Sequence, residues 1–125
     1  MKKILLSVKP KYAKKILAGE KTVEYRKRIP TDNSVTQVLI YASYPIKRVV
    51  AEFTIGRFLE DTPKELWRQT RQIGGISEQE FANYFNDKDK AYAYVIKNLQ
   101  IYADSKSLSQ YGIEKAPQDF CYVYE

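Results

Sequence analysis

The sequence predicts an α+β fold: a small, partly closed β-barrel of about five or six mostly antiparallel strands, with about three helices packed at its side. Three observations point there. Only one strand–helix–strand unit opens the chain, which argues against repeated α/β winding. Several long segments alternate apolar and polar residues, the period of a half-buried strand. Two Thr/Ser-x-x-Glu signatures then start helices in mid-chain rather than after successive strands. At 125 residues the chain suits one compact domain, expected to span 1–125.

Taken in order, KILLSV (3–8) is a short apolar run that fits a buried strand. Pro10 suits a first helical turn, and Tyr12, Ala13, Ile16 and Leu17 follow at helical spacing. Gly19 is placed to end that helix as its C′ residue, where a positive φ is easy only for glycine. KTVEYRK (21–27) alternates as a strand, with Val23 and Tyr25 on one face and Glu24 and Arg26 on the other. IPTDNS reads as a turn. TQVLIYAS (36–43) and IKRVVAEFTIGRF (46–58) read as strands, the second with Val49, Ala51, Phe53 and Ile55 alternating. Thr62, Pro63 and Glu65 start one helix. Ser77 and Glu80 start another, with Ile76 and Phe81 as a hydrophobic staple. KAYAYVIKNLQIY (90–102) and FCYVYE (120–125) read as the last two strands. YFNDKDKAY (84–92) is a charged loop.

Composition narrows the chemistry. The chain has no histidine and a single cysteine. This excludes Ser-His-Asp and Cys-His machinery, Cys/His zinc sites and any internal disulfide. Acid–base work falls to Glu, Asp, Lys or Tyr, tuned by their surroundings. Cys121, between DF and YVY, reads as a small strand residue. Neither a metal nor a cofactor is expected. The basic start MKKILLSVKPKY is too short in apolar residues for a signal peptide, and no run approaches a membrane span. The expected location is cytoplasmic, with no membrane partner. Net charge is +6, yet residues 1–30 hold ten Lys or Arg against Glu20 and Glu24. One positive region on a near-neutral body is the footprint of a phosphate-bearing partner.

That region centres on ILAGEKTVEYRKR (16–28). Glu24 and Arg26 share a strand face. Lys21 has the opposite parity, and joins them only if the chain leaving Gly19 has not yet settled into regular strand. The three side chains would then border a groove between the first helix and the barrel. Lys21 and Arg26 can hold a phosphate, and Glu24 can accept hydrogen bonds from a base edge. The alternative from spacing alone is a surface ion pair worth about 0–1 kcal/mol. Lys27 and Arg28 read as more solvated.

GEKTVEYR fits G-x-K-x-x-E-x-R through Gly19, Lys21, Glu24 and Arg26, and so resembles the signature of the ASCH (activating signal cointegrator homology) domains, a branch of the PUA-like fold. LLSVKPKYAKKIL, VLIYASYPIKRVVAEF and APQDFCYVY are similar to the same family, so the likeness spans nearly the whole chain. The resemblance implies a barrel with a cleft lined by the motif and a role with RNA, a nucleotide or a nucleoside, in RNA metabolism or transcription and translation. It implies ligand-binding roles for Gly19, Lys21, Glu24, Arg26 and Arg28, and brings Ser43 and Tyr44 near the cleft. Some members of this family are hydrolases. A branch acting on N4-acetylcytidine has a threonine nucleophile where Glu24 stands, and Thr22 should point away. Other members are proposed as metal-independent ribonucleases, for which Lys21 and Glu24 would be acid and base and Arg26 would face the phosphorane.

The first expectation is therefore a non-catalytic RNA- or nucleotide-binding module, with basic residues of the first helix on the backbone. The second is a hydrolase on RNA or an acylated nucleoside. A third is a protein-interaction module, whose sign would be exposed tyrosines. Tyr92, Tyr94, Tyr122 and Tyr124 fall at strand spacing and are more simply barrel residues with half-buried rings and wet hydroxyls.

Overall fold

In the computed structural model, which describes residues 1–125, the order of elements is the expected one with a single 3-10 turn added. The strands are β1 (Lys2–Val8), β2 (Val23–Arg26), β3 (Gln37–Ala42), β4 (Arg48–Asp61), β5 (Ala91–Lys106) and β6 (Phe120–Tyr124). The helices are α1 (Pro10–Leu17), α2 (Pro63–Thr70) and α3 (Glu78–Tyr84). All six strands form one sheet in the order β2-β5-β4-β3-β1-β6. Only β1 and β3 pair in parallel; every other neighbour is antiparallel.

The sheet is curled but not closed by backbone pairing, since β2 and β6 stand at its two ends. The long antiparallel β4–β5 pair changes register between Val49 and Ala51, between Glu52 and Thr54, and between Ile55 and Phe58. Such bulges bend a strand and increase its twist. The curl brings β2 back toward β6, and Arg26 of β2 reaches Asp119, just before β6, at 2.9 Å. Side chains thus finish what the hydrogen-bond ladder leaves open.

Three apolar clusters result. Within the curl, Ile4, Leu6, Val8, Ile40 and Phe53 pack on Ala13 and Ile16 of α1 and on Tyr94. At the β2–β5 end, Val23, Tyr25 and Ala93 meet Leu66, Phe81 and Phe85. On the opposite face, Leu5, Leu39 and Val123 are covered by residues around the 3-10 turn, including Leu108 and Ile113. Cys121 packs half-buried against this last cluster, and burial pushes its thiol up. No helix is long and apolar enough to cross a membrane.

The helix starts follow their sequence signals. Thr62 accepts from the Glu65 backbone N–H, with Pro63 in the first turn. Ser77 and Glu80 form the reciprocal capping box, and Ile76 packs on the cluster that holds Phe81. One expectation about side chains needs correcting. Tyr94 does not leave its hydroxyl wet: its residue is fully buried and the hydroxyl has no partner. Its ring is enclosed edge-on by Phe53 and Phe58.

A buried charge cluster beneath a diglycine loop

The end of α1 aims the candidate residues. Gly19 takes φ +78°, the Glu20 N–H bonds to Lys15 O, and the Gly19 N–H to Ile16 O. This is the paired-bond helix terminus that a left-handed glycine permits. The turn leaves Lys21 outside regular strand, as its parity requires. Thr22 then fastens the chain on two sides: its N–H donates to Ile73 O and its carbonyl accepts from Ile96 N–H. From Val23 to Arg26 the chain pairs with Val95 to Tyr92 of β5.

Lys21, Glu24 and Arg26 meet. Lys21 Nζ stands 3.4 Å from Glu24 Oε1, and Arg26 Nη2 donates to Glu24 Oε2 at 3.1 Å. Arg26 also donates to Asp119 Oδ1 and to the Ser7 carbonyl. Arg28, largely exposed, shares Asp119 through Nε at 3.2 Å and lies over the Phe120 ring. Three cations and two carboxylates therefore form one network, with Lys21 and Arg26 in its interior. Glu24 is the bridge that lets both cations sit inside.

The network does not border an open groove. Lys21 is 2%, Glu24 5% and Arg26 8% exposed. Its cover is the loop between α2 and α3, in the stretch IGGIS. Lys21 donates to the Gly74 carbonyl at 2.5 Å, and Lys15 to the Gly75 carbonyl at 3.0 Å. A Cβ at Gly74 would sit 2.0 Å from the Tyr25 hydroxyl, and one at Gly75 2.8 Å from Lys21 Cβ. Tyr25 is held beneath by Thr70, whose Oγ1 accepts from the phenol at 2.6 Å and itself donates to Leu66 O. The Lys21 ammonium lies over the rings of Tyr25 at 4.7 Å and Tyr12 at 5.3 Å. Burial pushes that ammonium below the ordinary lysine range, and Glu24 pulls it partly back.

Tyrosines complete the shell. Tyr12 donates to Glu80 Oε2 at 2.8 Å, beside Lys11 at 2.6 Å. Burial and then the Glu80 carboxylate push the Tyr12 phenol up to about 12. Burial likewise raises Tyr84 and Tyr94. Inside the network Arg26 Nε, like the Tyr94 hydroxyl, is buried without a partner. Most such groups are satisfied in folded proteins, so two in one neighbourhood mark a place with unused hydrogen-bonding capacity. Tyr94 stands opposite Glu24 across the β2–β5 pair.

The remaining predicted residues fall outside direct contact. Ser43 is half-buried at the end of β3, its N–H bonded to the Val8 carbonyl. Tyr44 is 80% exposed, with no side-chain hydrogen bond. Thr22 points away, as its parity predicts, into a separate cavity of about 280 Å³ with Arg57 and Thr70. The α1 lysines do not form one basic strip. Lys11 and Lys15 turn toward α3 and its preceding loop, whereas Lys14 lies on the other side of the helix. Sequence reasoning missed Asp119, Tyr12, Glu80, Gly74 and Gly75. The adjacent glycines between two capped helices were the one local signal that backbone comes close to something there.

The chain as a whole is similar to known proteins. The ASCH domain family pattern matches residues 6–102. An ASCH domain-containing ribonuclease from Zymomonas mobilis is 32% identical over 99 residues, covering 79% of this chain and 67% of that protein. A large ribosomal subunit protein uL22 from Ureaplasma parvum is 36% identical over 121 residues, 96% of this chain. The match spans only 39% of that protein's length. A crystal structure of ASCH from Zymomonas mobilis superposes with a TM-score of 0.88 at 28% identity, covering 98% of this chain and 88% of that one.

Proposed function

The chain belongs to the ASCH domain family, and on that premise we propose that it binds RNA, or a nucleotide or nucleoside, over the Lys21–Glu24–Arg26 network. The observation that carries this reading is the burial of three charges, Lys21, Glu24 and Arg26, in one connected cluster. Removing a charge from water costs several kcal/mol even after relaxation, and apolar residues of similar volume usually serve stability as well or better. Perturbed, buried titratable groups of this kind concentrate at functional sites. Arg26 Nε and the Tyr94 hydroxyl add two donors that a phosphate or base oxygen can use. Exposed Lys27 and Arg28 stand beside the network to meet a sugar–phosphate chain. A relative named as a ribonuclease supports RNA as the polymer.

Because the cluster is covered, binding requires the Gly74–Gly75 loop to give way at Lys21. The test is a titration of labelled single-stranded RNA at two salt concentrations. Log affinity should fall with log salt by a slope of about −0.7 per phosphate contacted. A Lys21→Met protein, shown to be folded by circular dichroism, should bind about tenfold more weakly or worse. Salt-independent binding, or equal binding by the variant, overturns the reading.

A second reading, ribonuclease action, draws on the same relative and on the Lys21 ammonium, whose lowered proton affinity suits a general acid. Glu24 would take the 2′-hydroxyl proton and Arg26 would face the phosphorane charge. Incubating labelled RNA with the wild type and with Lys21→Met decides it: cleavage that survives the substitution assigns the activity elsewhere. An amidohydrolase route has less support, since no hydroxyl nucleophile stands at position 24.

A further inference from the structure

On the far side of α1 from the charge cluster lies an apolar groove of about 390 Å³. Pro10, Ala13 and Leu17 of α1 form one wall; Ala42, Ile46 and Val50 of the β3–β4 hairpin form the other. Lys11 and Lys14 complete the lining. No hydroxyl, amide, carboxylate or aromatic ring lines it. Ile46 is left 47% exposed at its mouth.

Of the two lysines in the lining, Lys11 is paired with Glu80 and Lys14 has no ion pair. Lys9, Lys14 and Lys47 are exposed and have no ion pair. Lys9 directly precedes Pro10, Lys14 lines the groove and Lys47 directly follows Ile46. The Ser43 N–H to Val8 O bond holds the 43–47 turn beside Lys9. One unpaired lysine, Lys14, thus lines the apolar floor, and two more stand next in the chain to its lining residues Pro10 and Ile46.

We propose that this groove docks an acidic, amphipathic segment of a partner protein, one or two aliphatic or aromatic side chains entering the floor and flanking carboxylates meeting Lys9, Lys14 and Lys47. The lining decides between a peptide and a nucleic acid. A nucleobase seeks an aromatic face to stack on and polar edges to satisfy, and the lining offers neither. A Leu or Phe side chain needs only apolar enclosure, which anchors most of the energy in peptide recognition. The rim charges supply attraction and direction. This surface is separate from the RNA-binding reading, and either can fail without the other.

The test uses the full chain, uniformly ¹⁵N-labelled, titrated with three probes: the capped hexapeptide Asp-Asp-Leu-Phe-Asp-Asp, its counterpart Lys-Lys-Leu-Phe-Lys-Lys, and oligouridylate. The acidic peptide should shift the amides of Ala13, Leu17, Ala42, Ile46 and Val50. Ile46→Asp and Lys14→Glu should each weaken it about tenfold; both sites are exposed, and an otherwise unchanged amide spectrum verifies the fold. The basic peptide should bind about tenfold more weakly than the acidic one. No shifts at the groove with the acidic peptide at about 2 mM, weaker than roughly −4 kcal/mol, overturns the proposal. So does equal binding by the two peptides. Oligouridylate shifting the same amides, with loss in Ile46→Asp, also overturns it and makes the occupant a nucleic acid.

Discussion

Glu24 serves two cations at once, whereas Lys21 and Arg26 differ in what they retain if a partner goes. Without Glu24, Lys21 keeps only the Gly74 carbonyl, while Arg26 keeps Asp119 and Ser7 O. Without Lys21, Glu24 still faces Arg26. Glu24→Gln should therefore destabilise by about 3–5 kcal/mol, the usual cost of stranding a buried charge. Lys21→Met, which removes a charge and keeps the stem volume, should cost distinctly less. Urea unfolding of the two variants checks the order, and a larger loss for Lys21→Met would mean the ammonium holds the loop more than the carboxylate holds the cations. The identities of the three residues and their convergence were legible in the spacing GEKTVEYR. Their depth was not. Burial depends on Tyr12, the diglycine loop and Asp119, which approach from other elements and leave no mark within the motif. Asp119 is 93 positions from Arg26, beyond the reach of any local pattern.

Elements were read best where backbone chemistry is local. The capping residues Thr62 and Ser77 satisfy donors only three positions away, so the sequence itself contains both partners. The loop joining those helices shows the opposite case. Gly75, at φ +62°, has the stem of Lys21 against its α-carbon, whereas Gly19, at φ +78°, faces open space. Both substitutions to alanine incur left-handed strain of about 1–2 kcal/mol. Gly75→Ala adds overpacking of about 1–3 kcal/mol. Thermal unfolding should rank it clearly below Gly19→Ala; equal losses would mean that the loop shifts freely off Lys21. The β4–β5 bulges were equally silent in sequence. Alternation continues on either side of an inserted residue, so the pattern gives the strands but not the bends that curl them.

For the molecule as a whole, acid is the most informative stress. Glu80 is drawn from its ordinary value of 4.5 to about 2 by hydrogen bonds from Lys11 and then Tyr12, and Asp32 from 3.8 to about 2 by Lys2 and then Ser34. Folded carboxyls that hold protons more weakly than unfolded ones add stability above the unfolded pKa, and that stability disappears as pH falls through the folded value. Stability should therefore decline between about pH 4.5 and 2. Glu80→Gln should flatten part of that decline while leaving the slope above pH 6 unchanged. Both carboxyls face solvent, so 1 M salt should reduce the effect. A pH profile of denaturation midpoints tests this; an unaltered acid limb in the variant would remove Glu80 from the account. The overall class, a mostly antiparallel curled sheet with three helices, was legible from element order. So was its partial closure; what strand count alone does not say is that the open edge is bridged by a side chain, Arg26 to Asp119.

β2, the strand that bears Glu24 and Arg26, pairs with β5 and with no other strand. During translation this segment waits, without a neighbour, until Tyr92 to Val95 have been made. Arg26 waits longer still, for Asp119. A nascent chain stalled before β5 therefore carries Lys21, Glu24 and Arg26 with no partner strand to hold them in shape.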